Sequence, residues 1–512
     1  MNLLYAPAAK SDGTLVDEMP AWRRWASLTV LSLALLTVVM DLTVLNVALP
    51  SISAELRPSA TQQLWMVDAY SLVLAGLLIS MSGLADRWGR RRLLMLGFAV
   101  FGLSSLLILW ADSSAAVIAL RALLGLGGAM IMPTTLSMLR VVFTQPRERT
   151  LALGVWAAVS AAGAAVGPII GGFLLEHFSW HAAFLVNVPP MTIAFVAAAL
   201  LLPESRVAVT ARWDAVGSLL SIGGVATLVW SIKEFGKHFV ADGLANPAAW
   251  IALLCAIALL ALFVVRCLRR PDPLLDVRLF QRRQLTAGVL AALFSMVALG
   301  GGLLLLAQWL QLVEGFSPLQ AGYRLMPFAL GAIVTSVLAR YLVDLLGARA
   351  VMGLGLLLPA IGFLLFYVSP EPLSYPWVAA AMLLQGAGAG ALAIGSAMIM
   401  SGSPQDKAGN AAAIEETAYD LGNVFGVAVL GTIAAVIFSA KVGTGVPGAD
   451  DSLAAALEIA EATGSAELAA TAQASFTEAL SQVGLVGAVL LALAAAVVYR
   501  LTPRDLDLDV QH

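Results

Sequence analysis

Charge is scarce in this sequence. Of its 512 residues only 12% are Asp, Glu, Lys or Arg, and 60% are hydrophobic, against about 25% charged in soluble domains. With a mean hydropathy of +0.89, a water-soluble enzyme is excluded. The net charge is −3, which leaves no positive excess to neutralise phosphates, so nucleic acid is not an expected partner. Cysteine is rarer still. Cys255 and Cys267 are the only two, and the helical stretch between them is about 18 Å long, beyond the roughly 7 Å a disulfide can bridge. Of the four histidines only His177 and His181 share a helical spacing. Beside Trp180 they read as interfacial side chains, and neither a metal nor a cofactor is expected. The signature G-x-x-x-x-G-K-[ST] is missing, since the one Gly-Lys pair, Gly236-Lys237, is followed by His238. No Ser/His/Asp set converges either, so an ATP-driven pump and a membrane enzyme both lack support. The polar start, with Asp12, Asp17 and Glu18, has no basic segment or cleavage site of a secretory signal. The first apolar run is expected to remain as a helix.

Apolar runs of spanning length are abundant. A membrane helix needs about 20 mostly apolar residues. Runs bounded by charge, Pro or Gly predict spans near 26–50, 62–82, 93–111, 115–139, 150–175, 182–202, 214–233, 248–266, 285–313, 321–343, 351–369, 376–400, 409–438 and 480–499. The expectation is an all-α membrane protein with fourteen transmembrane helices and both termini on one side. Basic residues orient it. The terminal side carries Lys10, Arg23 and Arg24, Arg87 with Arg90 to Arg92, Arg140, Arg147 and Arg149, Arg206 and Arg212, the cluster from Arg266 to Arg283, Arg340, Arg349, Lys407, Arg500 and Arg504. The other side has Arg57, Lys233, Lys237 and Lys441, with Arg121 and Arg324 inside spans. Both termini are therefore expected in the cytoplasm. Residues 441–479 form an acidic, Ala-rich loop on the opposite face, expected to hold short amphipathic helices as a passive cap or as a cation-concentrating mouth.

Three features recur at an offset of about 260 residues. Asp86 to Arg91 returns in outline as Asp344 to Arg349, Gly125 to Ala129 as Gly386 to Gly390, and Gly163 with Gly167 as Gly422 with Gly426. The repeat divides the chain into a cytoplasmic segment 1–25, a six-helix bundle 26–202, an insert 203–283 carrying spans seven and eight, a second six-helix bundle 284–500, and a tail 501–512. Repeated bundles around a polar site are how many secondary transporters alternate access. The halves differ in one respect: Arg121 aligns with Met382.

These residues resemble the major facilitator superfamily, and within it the fourteen-helix drug:proton antiporters. Gly83-Leu84-Ala85-Asp86-Arg87-Trp88-Gly89-Arg90-Arg91-Arg92 is similar to the family's cytoplasmic loop motif. Arg121 with Gly125, and Gly163 through Gly167-Pro168 to Gly171-Gly172, look like its fourth-helix and antiporter motifs. Asp41-Leu42-Thr43 through Asn46 to Pro50 looks like the first-helix motif of the fourteen-helix branch. Glu415-Glu416-Thr417-Ala418-Tyr419-Asp420-Leu421-Gly422, together with Asp68, is similar to Qac-type and methyl-viologen-type exporters of quaternary ammonium compounds. The resemblance implies a monomer in a bacterial cytoplasmic (inner) membrane, with Arg121 near Asp41 coupling protonation to conformation. It also implies that Gly163, Gly167, Pro168, Gly171 and Gly172 form a seam that blocks leak. Gly83, Asp86, Arg87, Gly89 and Arg90 are expected to gate the cytoplasmic side, with Asp86 capping a helix N-terminus and pairing with Arg90.

Charged residues inside spans are functional candidates by default, because each is costly to insert. Asp41 falls mid-span. Glu416 and Asp420 lie one turn apart on one face, where they are expected to share a proton that an arriving cation displaces. Glu415 lies about 100° round the helix. Trp65 and Asp68, three apart, suit a delocalised cation through charge and cation-π attraction, and Tyr70, Trp156, Trp309, Tyr419 and Phe425 are candidates to line the same cavity. With five acids (Asp41, Asp68, Glu415, Glu416, Asp420) facing one clear base, Arg121, the expectation is a proton-coupled exporter of lipophilic organic cations: quaternary ammonium biocides, dyes, viologens and bisbiguanides. The alternative is a proton-coupled carrier of a neutral or anionic metabolite.

Overall fold

The computed structural model describes residues 19–205, 214–242, 245–270, 273–402, 408–442 and 446–503. The charges expected at Lys10, Arg206, Arg212, Lys407 and Arg504, most of the 1–25 segment and most of the tail lie outside the described residues, as does the side chain of Asp86. Fourteen long helices follow one another: α1 (Ala21–Leu56), α2 (Ala60–Trp88), α3 (Arg90–Leu107), α4 (Ser114–Val142), α5 (Pro146–His177), α6 (Val188–Leu201), α7 (Ala215–Asp242), α8 (Pro247–Arg269), α9 (Arg283–Gln308), α10 (Pro318–Arg324 and Met326–Leu346), α11 (Ala348–Val368), α12 (Tyr375–Gly386 and Ala389–Ser401), α13 (Ala408–Phe425 and Thr432–Val442) and α14 (Ala466–Leu501). Among the described residues, twelve helices are long and apolar enough to cross a membrane. The other two, α2 with 29 residues and α5 with 32, pack along α4 and α1.

Local sequence sets the boundaries. Ser59 caps α2 and Ser317 caps α10, each in a reciprocal box with a glutamine, Gln62 and Gln320. Pro146, Pro247 and Pro318 open α5, α8 and α10, where a missing N–H costs nothing. The acidic loop carries a short helix, as expected, but the last span starts well before residue 480. A short helix, Leu453–Thr463, precedes α14, which already begins at Ala466 under a Ser465 cap. At 36 residues α14 is about 54 Å long, so its Ala/Glu-rich start extends beyond a hydrocarbon core of about 30 Å.

The internal repeat reappears as matched close contacts. Gly89 and Gly347 both take positive φ, 115° and 81°, at the turns into α3 and α11. A methyl on Gly125 would collide with the Tyr70 carbonyl of α2, and one on Gly386 with the Phe328 carbonyl of α10. Gly163 and Gly167 sit on the Leu36 and Met40 carbonyls of α1, while Gly422 and Gly426 sit on those of Leu293 and Val297 in α9. Pro168 lies inside the unbroken α5, and the corresponding place in α13 falls in the π-helical turn Gly426–Gly431. Two apolar cores follow this division, one drawn mainly from α1 to α6 and one mainly from α9 to α14.

The halves meet along two seams. In one, Gly172 of α5 lies against Leu319, and Gly322 of α10 against the Pro168 carbonyl; in the other, Gly431 of α13 lies against Leu64 of α2. The hairpin of α7 and α8 leans on this second seam, with Ile222 against Gly76 of α2 and Gly236 against Thr432 of α13. The most apolar stretch of α8 is only 22% buried, against 72% for α1. The hairpin is peripheral, whereas α1 is central.

Candidate functional site

Asp41 and Arg121 meet, as the family resemblance implied. Neither charge is stable alone in an apolar interior, and their side chains are each 1% exposed with Arg121 Nη1 2.5 Å from Asp41 Oδ2. Arg121 also donates to the Met66 carbonyl at 3.1 Å and lies over the Tyr70 ring, 4.6 Å from its centroid. The second oxygen of Asp41 accepts from Asn187 Nδ2 at 2.7 Å. Asn187, at the start of α6, also donates to Ser105. Tyr70, expected beside substrate, is instead wholly buried against Arg121. Five residues beyond Trp65 it points about 140° away around α2.

Trp65 and Asp68 do share a face, as expected, but that face is occupied by the chain itself. Lys233 of α7, expected outside the membrane core, is 2% exposed. Its Nζ stands 2.9 Å from Asp68 Oδ2 and 4.1 Å from the centre of the Trp65 ring. The predicted span ended at residue 233; α7 continues to Asp242, which places Lys233 more than two turns inside the helix. Trp65 packs with Leu72, Val229, Leu421, Val424 and Phe425, so Phe425 does join the Trp65 surface.

The acids of α13 divide between two faces. Glu415 accepts from Tyr419 Oη at 2.7 Å. Tyr419 packs with Ile399, Ile414 and Ala418 in an apolar cluster separate from that of Trp65. Tyr419 is therefore apart from the Trp65 surface it was expected to share, and Glu415, about 100° round the helix from Glu416, lies with it. Asp420 is 6% exposed, and its Oδ2 has no hydrogen-bond partner among the described residues. One turn on, Asn423 donates to Ser71 of α2 at 3.1 Å, beside Tyr70. This contact connects the acidic helix to the Asp41–Arg121 cluster across the seam. Trp309 and Trp156 are satisfied elsewhere, by Thr477 and Thr135.

The glycine motif of α5 grips α1 around Asp41. Gly163 meets Leu36 and Val39, Gly167 meets Met40 and Thr43, and Gly171 meets Val44. At the α2–α3 turn the cap comes from a residue the sequence reading missed. Glu204 accepts from Arg91 N at 3.3 Å and stands 3.7 Å from Arg92, placing a carboxylate at the positive end of α3. Arg90 N donates to the Ser205 carbonyl. At the base of the hairpin, Asp214 accepts from Gly217 N and from Arg266 and pairs with Arg270 at 2.8 Å. Burial pushes its carboxyl up, but the Arg266 hydrogen bonds, the Gly217 N–H and Arg270 together bring it down to about 2.

The family model for the Major Facilitator Superfamily matches residues 31–427. The multidrug efflux pump LfrA of Mycolicibacterium smegmatis is 38% identical over 499 residues, 95% of this chain and 98% of that protein. The methyl viologen resistance protein SmvA of Salmonella typhimurium is 38% identical over 426 residues, covering 82% and 84%. A bacterial homologue of the human lysosomal transporter Spinster, solved facing inward and unoccupied, superposes with a TM-score of 0.66 at 16% identity over 94% of this chain and 97% of that one. With a family match over most of its length, relatives that cover it nearly end to end and the fold of a transporter, this chain belongs to the Major Facilitator Superfamily.

Proposed function

We propose that the chain is a proton-coupled antiporter that exports lipophilic organic cations. The observation that carries this reading is the charge left over after pairing. Asp41 holds Arg121 and Asp68 holds Lys233, while Asp420, with Glu416 one turn away, retains an oxygen without a hydrogen-bond partner among the described residues. An interior with more acids than bases favours a cationic guest over an anionic one. Relatives named for multidrug efflux and methyl viologen resistance support that choice.

In this reading Glu416 and Asp420 exchange protons, and Asp41 with Arg121 passes the change to α1 and α4. Trp65, Asp68 and Phe425 face the guest, with Glu415 and Tyr419 bordering the cavity and Tyr70 fixing Arg121. Gly83, Asp86, Arg87, Gly89 and Arg90 at one end, and Gly163 to Gly172 in the seam, allow the bundles 26–202 and 284–500 to rock. The 203–283 insert rides between them. Counting α2 and α5, there are fourteen spans, both termini face the cytoplasm, and the protein works as a monomer in a bacterial inner membrane. Purified protein in liposomes, given a pH gradient of either direction, tests this: methyl viologen or ethidium should move against the proton flux, and Asp420→Asn should abolish the gradient dependence. Gradient-independent transport, or transport of anions alone, would overturn it.

A further inference from the structure

The Trp65–Asp68 surface has the chemistry of an organic-cation site, yet a cation already occupies it. The Lys233 ammonium rests 4.1 Å from the ring centre and 2.9 Å from one carboxylate oxygen. Both side chains are 1% exposed, and neither the ammonium nor either Asp68 oxygen has another polar partner among the described residues. An ammonium carries three N–H donors, so burial here leaves donors unmet, which is unfavourable. The cluster against which Trp65 packs is apolar, with Leu72, Val229, Val424 and Phe425 in it.

We propose that Lys233 is a tethered placeholder, occupying the Trp65–Asp68 site when no substrate is bound and yielding it to a lipophilic cation. This rests on the cation-export reading and assigns its site. The needs of the pocket are one positive charge and an aromatic contact, without hydrogen bonds. A quaternary ammonium or phosphonium centre meets them better than the lysine does, because it has no donors to leave unmet. The flexible four-carbon stem of the lysine lets its ammonium swing off the Trp65 ring while α7 stays in place. Because α7 belongs to the inserted hairpin and leans on both α2 and α13, the exchange also links occupancy to the second seam between the halves. The placeholder keeps Asp68 compensated in the empty protein and sets a threshold that weakly binding cations fail to pass.

The test is binding of tetraphenylphosphonium to purified full-length protein in nanodiscs at fixed pH. If Lys233 must be displaced, Lys233→Gln should tighten binding by about tenfold or more, as a rise in the competent fraction requires. Lys233→Arg should leave it near wild type. Asp68→Asn should weaken binding, and adding it to Lys233→Gln should abolish the gain. Unchanged or weaker binding by a folded Lys233→Gln protein overturns the placeholder while leaving cation export intact. Absence of binding by wild type and every variant overturns both. A second measurement needs no variant: acetylation of Lys233 in wild-type protein, followed by mass spectrometry, should rise on saturation with tetraphenylphosphonium. A fall or no change counts against displacement.

Discussion

Separating Arg121 from Asp41 should cost far more than removing both. The pair is buried to 1% on each side, and deleting one partner of such a pair leaves an uncompensated charge worth about 3–5 kcal/mol. In Asp41→Asn the guanidinium loses its counter-charge and keeps only neutral partners, an amide oxygen at position 41, the Met66 carbonyl and the Tyr70 face. In Arg121→Met the carboxylate keeps only Asn187. The second half of the molecule supplies the control, because Met382 occupies the place of Arg121 and is itself 1% exposed. The double substitution Asp41→Asn with Arg121→Met should therefore return to within about 1–2 kcal/mol of wild type while transport stays lost. Thermal unfolding of the four proteins in one detergent reads this as single-variant losses on the order of 5 °C that the double variant largely restores. Single variants as stable as wild type, or a double variant as poor as the sum of the singles, would refute the reasoning.

Other expectations follow from individual contacts. Gly167→Ala should lower both stability and transport, because its methyl would meet Thr43 and lie 2.9 Å from the Met40 carbonyl. Gly426→Ala, its mate in the repeat, should behave alike, and parallel melting curves check both. Gly89→Ala should destabilise by about 1–2 kcal/mol from the positive φ alone, more where its methyl meets Glu204, and Glu204→Gln should relieve none of the φ strain. For Asp214, a folded value of about 2 against an ordinary 3.8 means that the folded state favours the ionised form. The clamp thus contributes about 2 kcal/mol above roughly pH 4, and that contribution is lost as the pH falls towards 2. Asp214→Asn should remove it throughout, seen as a flatter acid limb of the melting profile.

The sequence made the spans and the repeat legible because bilayer thickness and helix rise leave little freedom to an apolar run. Burial cost marked Arg121 as needing a partner, and the family resemblance named Asp41 among the five candidate acids. Lys233 escaped because it ends an apolar run, where a lysine ordinarily marks the interface. Only the packing of α7 on α2 shows that the helix goes on past it. Asn187 and Glu204 had no periodic signal, being polar side chains at helix junctions whose partners lie 82 to 146 residues away in the chain. Helix was expected in the acidic loop, but its charge hid the continuity of 466–479 with the last span, which strong helix formers, alanine and glutamate, and the Ser465 cap secure.

On this account an arriving cation expels the protons held by Glu416 and Asp420 on α13. The most direct measurement is proton release from unbuffered, detergent-solubilised protein on adding tetraphenylphosphonium, followed by a pH indicator. Wild type should release protons in proportion to cation bound, and Glu416→Gln with Asp420→Asn should bind without release. Cation binding with no proton release by wild type, or equal release by the double variant, would contradict it.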